Sequence, residues 1–355
     1  MKNAYYVGVM TGTSLDAADA VLVDFDNGSC RIIADAQVLI PLKQADEWRQ
    51  LATDDATLAQ ALTAANAVAK LCAKAVAALG APPDNIVAIG CHGQTVLHRP
   101  AHGWSAQLLN GALLAELCGA DVVCDFRSRD IAAGGQGAPL APLFHRAAFA
   151  TYKPCAIINL GGIANISVLD TDGGVRGWDT GPANMLMDAW YRRHQSGQFD
   201  FDGSWATSGT IVPSLLQTLL EHPFLALSSP KSCGREEFDL RHFENELAHH
   251  RPEDAQATLL EWSAQTVTIA VRDSNVPVVF LCGGGAHNTA LTNRLKTLLP
   301  DCNVQLSNAA GLPAERVEAT AFAWFAKQFI EGKALDISSI TGARGARILG
   351  AHYPR

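Results

Sequence analysis

A strand–loop–strand pattern occurs twice in this chain, about half a chain apart, and it constrains the fold more than any other feature. The first copy spans residues 5–25, where two short apolar runs flank the polar segment 11–16. The second spans residues 156–169, where two such runs flank the loop 161–165. A supersecondary unit that recurs in this way indicates a duplicated fold with a cleft between the copies.

Segments with helical periodicity alternate with the predicted strands. Residues 57–79 are rich in alanine and predict a helix whose buried stripe includes Leu58 and Leu62. The strand predicted at 278–282 is followed by helical residues up to 298. This alternation indicates helices layered on sheets, which is an α/β fold.

A segment rich in glycine and proline, residues 132–142, predicts a connector between two domains. Two domains also suit a chain of 355 residues. We expect one domain to comprise residues 1–130 joined by the C-terminal tail 336–355. The other is then residues 131–335, and the tail is expected to have strand–turn–strand character over 340–353.

Charge and composition exclude several classes of protein. The formal net charge is -8 without a local run of Lys or Arg, so no nucleic-acid partner is expected. We see no apolar stretch that predicts a membrane span. The N-terminal segment is too short and too polar to be a signal peptide. A cytoplasmic protein without a membrane partner is therefore expected. The nine cysteines show no close pairing and are interpreted as reduced.

The loop 11–16 contains a glycine, hydroxyl side chains and a carboxylate, which are the groups of a phosphate-binding turn. Main-chain N–H groups and hydroxyls face the anion, while an aspartate holds the metal that the phosphates share. An ordinary hairpin turn uses the same residue types. The paired glycines at 161–162 favour phosphate binding, because ATP needs contacts from both sides of a cleft.

The glycine triplet 283–285 follows a predicted strand and precedes a helix. It allows a nucleotide to approach the main chain closely. Asn288 stands where a dinucleotide fingerprint has its third glycine, so NAD is not indicated. The chain also has no Gly-x-x-x-x-Gly-Lys-Ser/Thr motif, which excludes a P-loop kinase.

Asp179 precedes a helical pattern at 182–194 and has two interpretations. It is either the N-cap of that helix or a general base that stays ionised beside the positive helix end. Both roles can coexist in one carboxylate, and the local sequence leaves them open.

Two arginines and a glutamate are further candidates for binding. Arg127 and Arg129 either clamp a carboxylate or pair with the neighbouring Asp125 and Asp130. Glu318 starts a predicted helix, where a glutamate is usually a favourable partner of the helix dipole.

Seven motifs, in order along nearly the whole chain, resemble the anhydro-N-acetylmuramic acid kinase family of the actin/hexokinase/Hsp70 superfamily. They lie at 8–16, 90–95, 119–127, 133–139, 159–165, 179–182 and 282–285. One small departure is Ala17, where the family commonly has glycine.

The resemblance implies two duplicated ribonuclease-H-like domains that flank an ATP cleft. It also implies ATP and Mg²⁺, the substrate 1,6-anhydro-N-acetylmuramic acid, a homodimer, and Asp179 as the catalytic base. Asp16 is the expected Mg²⁺ ligand. The expected ATP-binding residues are Gly12, Thr13, Ser14, Leu15, Asp16, Asp19, Gly161, Gly162, Asn165, Gly283, Gly284 and Gly285. The expected sugar-binding residues are His92, Gln94, Arg127, Arg129 and Glu318.

The implied reaction differs from that of an ordinary kinase because O6 of the anhydro sugar is bonded to C1 and carries no proton. A water must attack C1 while O6 takes the γ-phosphoryl group, so phosphorylation replaces the general acid of glycoside hydrolysis. Two alternatives are a conventional sugar kinase that acts on a free hydroxyl and a non-enzymatic ATP-clamp module.

Overall fold

The chain divides into two compact units in a computed structural model that describes residues 4–12, 15–26, 30–53 and 55–355. One unit comprises Met1–Phe144 and Arg316–Arg355, and the other comprises His145–Glu315. We call them unit 1 and unit 2. The first boundary, after Phe144, lies later in the chain than the expected boundary after residue 130. The second boundary, before Arg316, lies earlier than the expected boundary after residue 335.

The described residues form strands and helices that alternate along most of the chain. The strands are β1 (Tyr5–Thr11), β2 (Ala17–Asp24), β3 (Arg31–Leu39), β4 (Ile86–Cys91), β5 (Gln94–Arg99), β6 (Trp104–Leu108), β7 (Val122–Cys124), β8 (Cys155–Leu160), β9 (Ile163–Leu169), β10 (Val175–Pro182), β11 (Val278–Cys282), β12 (Asn303–Leu306) and β13 (Ala351–Tyr353). The α-helices are α1 (Leu42–Gln50), α2 (Leu58–Ala78), α3 (Gly111–Cys118), α4 (Ser128–Ala132), α5 (Ala141–Ala148), α6 (Asn184–His194), α7 (Pro213–Leu220), α8 (Glu244–Ala248), α9 (Pro252–Ser274), α10 (Thr289–Leu298), α11 (Val317–Ile330) and α12 (Ser338–Thr341).

The main sheets of the two units share one topology. The sheet of unit 1 has the order β13-β7-β4-β1-β2-β3, and that of unit 2 has the order β10-β9-β8-β11-β12. In both, the first three strands of the unit are antiparallel neighbours, and the next two join parallel to the first. In unit 2 the antiparallel strands are β8, β9 and β10. The parallel strands that extend its sheet on the other side of β8 are β11 and then β12. This 3-2-1-4-5 order is the ribonuclease-H-like arrangement, so the predicted duplication and α/β fold are confirmed.

Helix α11 packs directly on the sheet of unit 1. Gly8 of β1 and Gly90 of β4 are neighbours in register. A Cβ atom on Gly8 would lie 1.8 Å from the main-chain O of Ala319, and one on Gly90 would lie 1.9 Å from that of Phe322. Only glycine permits so close an approach of helix to sheet. For this reason α11 belongs to unit 1, although the sequence analysis placed its residues in the second domain.

The predicted connector at 132–142 also belongs to unit 1. The main-chain N of Gln136 donates to the O of Thr341 at 3.0 Å, and that of Arg344 donates to the O of Ala133 at 2.9 Å. These bonds tie the glycine-rich segment to the C-terminal part of the chain. The division between the units therefore follows Phe144, at the middle of α5.

Helix α2 is the core helix of unit 1 that the alanine-rich pattern predicts. Thr57 forms a capping box with Gln60 at its start. Its buried side includes Val68 and Cys72, whereas Leu58 and Leu62 are 74% and 60% exposed, so the predicted burial of these two leucines is wrong. The predicted stripe has the right phase, but its first two turns face solvent.

By length and composition α2 is also the one helix in the described ranges that could cross a membrane. Its buried residues belong to the hydrophobic core of unit 1. A core helix of this length passes the same test.

The C-terminal tail differs from its prediction, because residues 338–341 form α12 and a single strand, β13, follows.

Candidate functional site

The first predicted phosphate loop follows β1 in unit 1. Thr13 and Ser14 lie outside the described residues. On either side of them, the main-chain N of Leu15 donates to the O of Gly12 at 3.2 Å, and Leu15 has a φ of 59°. A left-handed leucine is uncommon and occurs where the surrounding structure requires a tight turn. Asp16 is solvent-exposed and lies immediately before β2.

Asp19 of β2 is held by an arginine that the sequence analysis did not single out. Its Oδ1 accepts from Nη1 of Arg316 at 2.5 Å and from Nε2 of Gln37 at 3.0 Å. Arg316 also donates from Nε to Asp35 at 2.9 Å. Burial raises the pKa of Asp19, and the donors Gln37 and Arg316 oppose that rise. Asp19 is thus partly committed to an ion pair within unit 1.

The parallel strands of unit 1 end beside one another at the edge that carries several candidate residues. Oγ1 of Thr11, the last residue of β1, donates to the O of Gly93 at 2.9 Å. The main-chain N of His92, the first residue after β4, donates to the O of Val9 at 3.0 Å. In open α/β sheets, ligands bind outside these carboxyl ends.

His92 and Arg127 form a hydrogen-bonded pair at this edge. Nε2 of His92 accepts from Nη2 of Arg127 at 2.9 Å, and Nη1 of Arg127 donates to the O of Gly137 at 2.7 Å. Burial, and next the charge of Arg127, hold the pKa of His92 well below its ordinary value. The imidazole is therefore neutral, and its Nε2 is an acceptor that orients the guanidinium.

The other predicted sugar-binding residues of unit 1 differ in exposure. Gln94 is 2% exposed, and its Oε1 is buried with no hydrogen-bond partner in the described part of the chain. Glu318 is half-buried in the first turn of α11. Arg129 is exposed in α4, unlike the half-buried Arg127 two residues earlier. The two arginines are therefore not equivalent.

In unit 2, three polar residues align across the sheet. Asp179 of β10 pairs with Asn165 of β9, which pairs with Asn159 of β8. Directly opposed residues of antiparallel strands point to the same face, so the three side chains form one row. On the other side of Asn159, Cys282 of β11 is its partner, immediately before Gly283.

Asp179 lies in a strand and not at a helix N-cap, so that interpretation is wrong. Helix α6 begins at Asn184, with Ala183 as its N-cap. The pairing of β10 with β9 shifts between Asp179 and Gly181, and such bulges commonly re-aim a side chain near active sites. Pairing with β9, which local helical periodicity does not reveal, determines the strand.

A loop distant in sequence fixes the carboxylate of Asp179, which is 9% exposed. Its Oδ2 accepts from the main-chain N of Cys233 at 3.0 Å, and its own main-chain N donates to the O of Lys231 at 3.0 Å. Nζ of Lys231 donates to the main-chain O of Phe224 at 3.0 Å. Burial lowers the pKa of Lys231, and the charge of Asp179 opposes this fall. Nothing in the sequence identifies Lys231 or Cys233 as neighbours of Asp179.

The loop with Gly161 and Gly162 is built around Asn184 of α6. The main-chain N of Asn184 donates to the O of Gly161 at 3.0 Å, and that of Ala183 donates to the O of Gly162 at 3.0 Å. Nδ2 of Asn184 donates to the O of Leu160 at 2.9 Å. The loop is therefore fixed by the helix that follows β10.

The glycine triplet packs against the same group of residues. Gly283 has a φ of 81°, and a Cβ on it would lie 2.2 Å from Oδ1 of Asn159. A Cβ on Gly285 would lie 2.7 Å from Oδ1 of Asn184. Gly284, in contrast, is exposed, and a Cβ there would meet nothing within 4 Å. Its main chain is the part of the triplet that a ligand can approach.

Asn159 is a candidate that the sequence analysis missed. It is 6% exposed, and its Oδ1 is buried without a hydrogen-bond partner among the described residues. It is the last residue but one of β8, two positions before Gly161 of the predicted loop. That position is the feature from which it could have been identified.

Comparison with solved structures gives only a distant likeness. The chain is similar to the activator of the 2-hydroxyisocaproyl-CoA dehydratase from Clostridium difficile, solved with bound ADPNP. The identity is 14%, the coverage is 92% of this chain and 96% of that chain, and the TM-score is 0.49. A likeness of this size carries no argument about function.

Comparison with sequences is far more specific. The family model of anhydro-N-acetylmuramic acid kinase matches residues 4–355. The anhydro-N-acetylmuramic acid kinase of Thiobacillus denitrificans is 48% identical over 98% of this chain and 97% of its own length. The protein of the same name from Nitrosomonas europaea is 47% identical over 99% of both chains. The chain therefore belongs to the anhydro-N-acetylmuramic acid kinase family.

Proposed function

We propose that this protein is an ATP-dependent kinase that opens the anhydro ring of 1,6-anhydro-N-acetylmuramic acid with water and phosphorylates O6. The products are N-acetylmuramic acid 6-phosphate and ADP. The observation that carries this proposal is the family match over residues 4–355, together with relatives of that name at full length. The buried carboxylate of Asp179 supplies the base that the reaction needs.

The reaction balances without a proton on O6. The oxygen of a water forms a bond to C1 while the C1–O6 bond breaks. O6 takes the γ-phosphoryl group of ATP, and ADP leaves. The attacking water loses one proton, which a general base must accept.

We assign that proton to Asp179. The hydrogen bond from the main-chain N of Cys233 to Oδ2 restrains the orientation of the carboxylate. A base whose orientation is fixed in advance loses little entropy when the water is bound. The Cys233 thiol itself is an unsuitable base, because burial, and next the charge of Asp179, raise its pKa far above neutrality.

The phosphates of ATP are assigned to the two glycine-containing loops and the triplet. The exposed main chain of Gly284 and the neighbouring Gly161 and Gly162 supply approachable peptide groups in unit 2. In unit 1 we assign the loop from Gly12 to Asp19. Asn165 is a further contact for the nucleotide.

Mg²⁺ fits this set of donors only as an ion shared with the phosphates. No group of three metal-ligating side chains occurs in the part of the chain that the structure describes. A Mg²⁺ ion in a kinase needs only one or two carboxylates besides phosphate and water. We assign this role to the carboxylate of Asp16, which is solvent-exposed and lies immediately before β2. When bound, Mg²⁺ neutralises the charge of the phosphates during transfer.

We assign the sugar to His92, Gln94, Arg127 and Glu318, with Arg127 recognising the lactyl carboxylate. Its guanidinium is oriented by Nε2 of His92 and the O of Gly137, which are both uncharged acceptors. Arg129 is the weaker candidate for the carboxylate, because an exposed side chain is screened by water. We further propose a cytoplasmic homodimer that acts in peptidoglycan recycling.

A substrate panel tests the proposal. ADP release with ATP and Mg²⁺ should depend on 1,6-anhydro-N-acetylmuramic acid and should be much slower with 1,6-anhydro-N-acetylglucosamine or with free N-acetylmuramic acid. Equal use of free N-acetylmuramic acid would indicate a conventional sugar kinase. ADP release that is independent of every sugar would indicate an ATP-clamp module.

A further inference from the structure

The chain that follows Arg127 is folded around a buried carboxylate in unit 1. Asp130 is fully buried, and its Oδ2 accepts from the main-chain N of Gly137 at 2.6 Å. Its Oδ1 accepts from Oγ1 of Thr341 at 2.7 Å. Hydrogen bonds to a buried carboxylate are strong and costly to lose, so they fix both donors.

Glycines make this arrangement possible. A Cβ on Gly135 would lie 2.3 Å from Oδ2 of Asp130. Gly137 has a φ of 71°, and a Cβ there would lie 2.8 Å from Cδ1 of Ile131. The main chain at Gly135 therefore lies so close to the carboxylate that no Cβ atom would fit there. It has little freedom to move unless Asp130 moves too.

Gly137 connects the buried carboxylate to the arginine. Its N–H donates to Asp130, and its O accepts from Nη1 of Arg127 at 2.7 Å. The opposite side of the guanidinium donates to Nε2 of His92 at 2.9 Å. A shift of Gly137 would therefore move an acceptor that orients Arg127.

Thr341 brings the C-terminal part of the chain into the same network. It is the last residue of α12 and is 2% exposed. Besides the side-chain bond to Asp130, its main-chain O accepts from the N of Gln136 at 3.0 Å. Residues more than 200 positions apart in sequence thus hold the segment beside Arg127 from two directions.

We propose that Asp130 and Thr341 are positioning residues that hold Arg127 in the orientation that recognises the carboxylate of the muramic sugar. This inference rests on the proposed function and on the assignment of Arg127 to the sugar. Neither Asp130 nor Thr341 touches the substrate. They act through Gly137, and their effect is on substrate discrimination.

Thr341→Val tests the proposal, because valine keeps the shape of threonine and removes the donor. KM for 1,6-anhydro-N-acetylmuramic acid should rise about tenfold, the size expected for one hydrogen bond to a charged group. KM for ATP and kcat should stay near their wild-type values. Thr341→Ser restores the hydroxyl and should restore KM. Ser338→Ala is the matched control, since it removes an exposed hydroxyl from the same helix.

A double-mutant cycle with Arg127→Met separates positioning from general stability. If Thr341 acts through Arg127, Thr341→Val should add nothing to KM once Arg127 is Met. Additive effects, an equal rise in KM for ATP, or an unchanged sugar KM would each overturn the proposal. Asp130→Asn should likewise raise KM for the sugar and leave KM for ATP and kcat near their wild-type values. It replaces Thr341→Val if thermal unfolding shows that Thr341→Val is misfolded.

The same cycle distinguishes this proposal from its premises. A wild-type protein that does not turn over the anhydro sugar refutes the proposed function before any variant is compared. An active protein in which Arg127→Met leaves the sugar KM unchanged refutes the assignment of Arg127, and the positioning role with it. Turnover with a raised KM for Arg127→Met but not for Thr341→Val refutes only the positioning role.

Discussion

Replacement of Asp179 by asparagine separates its proposed chemical role from its structural one. Oδ2 of Asp179 accepts from the main-chain N of Cys233 at 3.0 Å. An amide oxygen can accept the same bond, so the loop at 231–233 should stay in place. Exchanging a charged acceptor for a neutral one changes the free energy of unfolding by about 1 kcal/mol.

The expected loss of rate is much larger than this structural effect. An amide cannot take the proton of the attacking water, and removal of a general base costs on the order of 10²–10⁴ in kcat. This loss corresponds to an activation free energy higher by about 3–5 kcal/mol. The difference between the two magnitudes makes the experiment decisive.

Initial rates of ADP release at saturating ATP and sugar provide the assay, with ATP affinity measured by calorimetry. Asp172→Asn is the matched control, because the exposed Asp172 also accepts a main-chain hydrogen bond, from Gly174 at 2.9 Å. A folded Asp179→Asn protein that binds ATP and turns over at more than about a tenth of the wild-type rate would remove Asp179 from the role of base.

Two further predictions concern stability. Gly8→Ala should prevent folding, because its Cβ would lie 1.8 Å from the O of Ala319, whereas Gly284→Ala should unfold at the wild-type temperature. Burial lowers the pKa of His145 to about 3, so between that value and the unfolded pKa of about 6.5 the unfolded state binds more protons. Stability to urea should therefore fall as the pH drops through this range. His145→Asn, which can keep the contact with Oγ of Ser167, should flatten that slope, and an unchanged slope would contradict the argument.

The elements with strong local patterns were predictable from the sequence. The apolar runs before Gly161 and Gly283 form β8 and β11, and the alanine-rich segment forms α2 with Thr57 as its cap. Apolar runs bounded by glycine, and a capping box before a helical stripe, are local features that need no tertiary contact to be recognised.

The strand β10 was not predictable in this way. Its residues include Gly177 and Asp179, which have low strand propensity, and the segment becomes a strand through pairing with β9. The helical pattern that follows β10 suggested that Asp179 was the N-cap of the next helix. The catalytic assignment of Asp179 came from the family resemblance and not from the local pattern.

The contacts that organise the candidate site were hidden because they join distant parts of the chain. Arg316 and Asp19 are 297 positions apart, and Cys233 and Asp179 are 54 apart. The second boundary between the units differs from the expected one for the same reason, because α11 fits on unit 1 only through the glycines at 8 and 90. Residue type indicates what a side chain can do, whereas the fold decides which side chain it meets.

The most direct test of the proposed reaction is the fate of the water oxygen. The protein is incubated with ATP, Mg²⁺ and 1,6-anhydro-N-acetylmuramic acid in ¹⁸O-labelled water, and the product is quenched early and analysed by mass spectrometry. Unlabelled product kept in the same water for the same time corrects for exchange at C1. Attack of water on C1 requires one ¹⁸O atom on C1 and none on the phosphate, whereas label on the phosphate or an unlabelled sugar would contradict the mechanism.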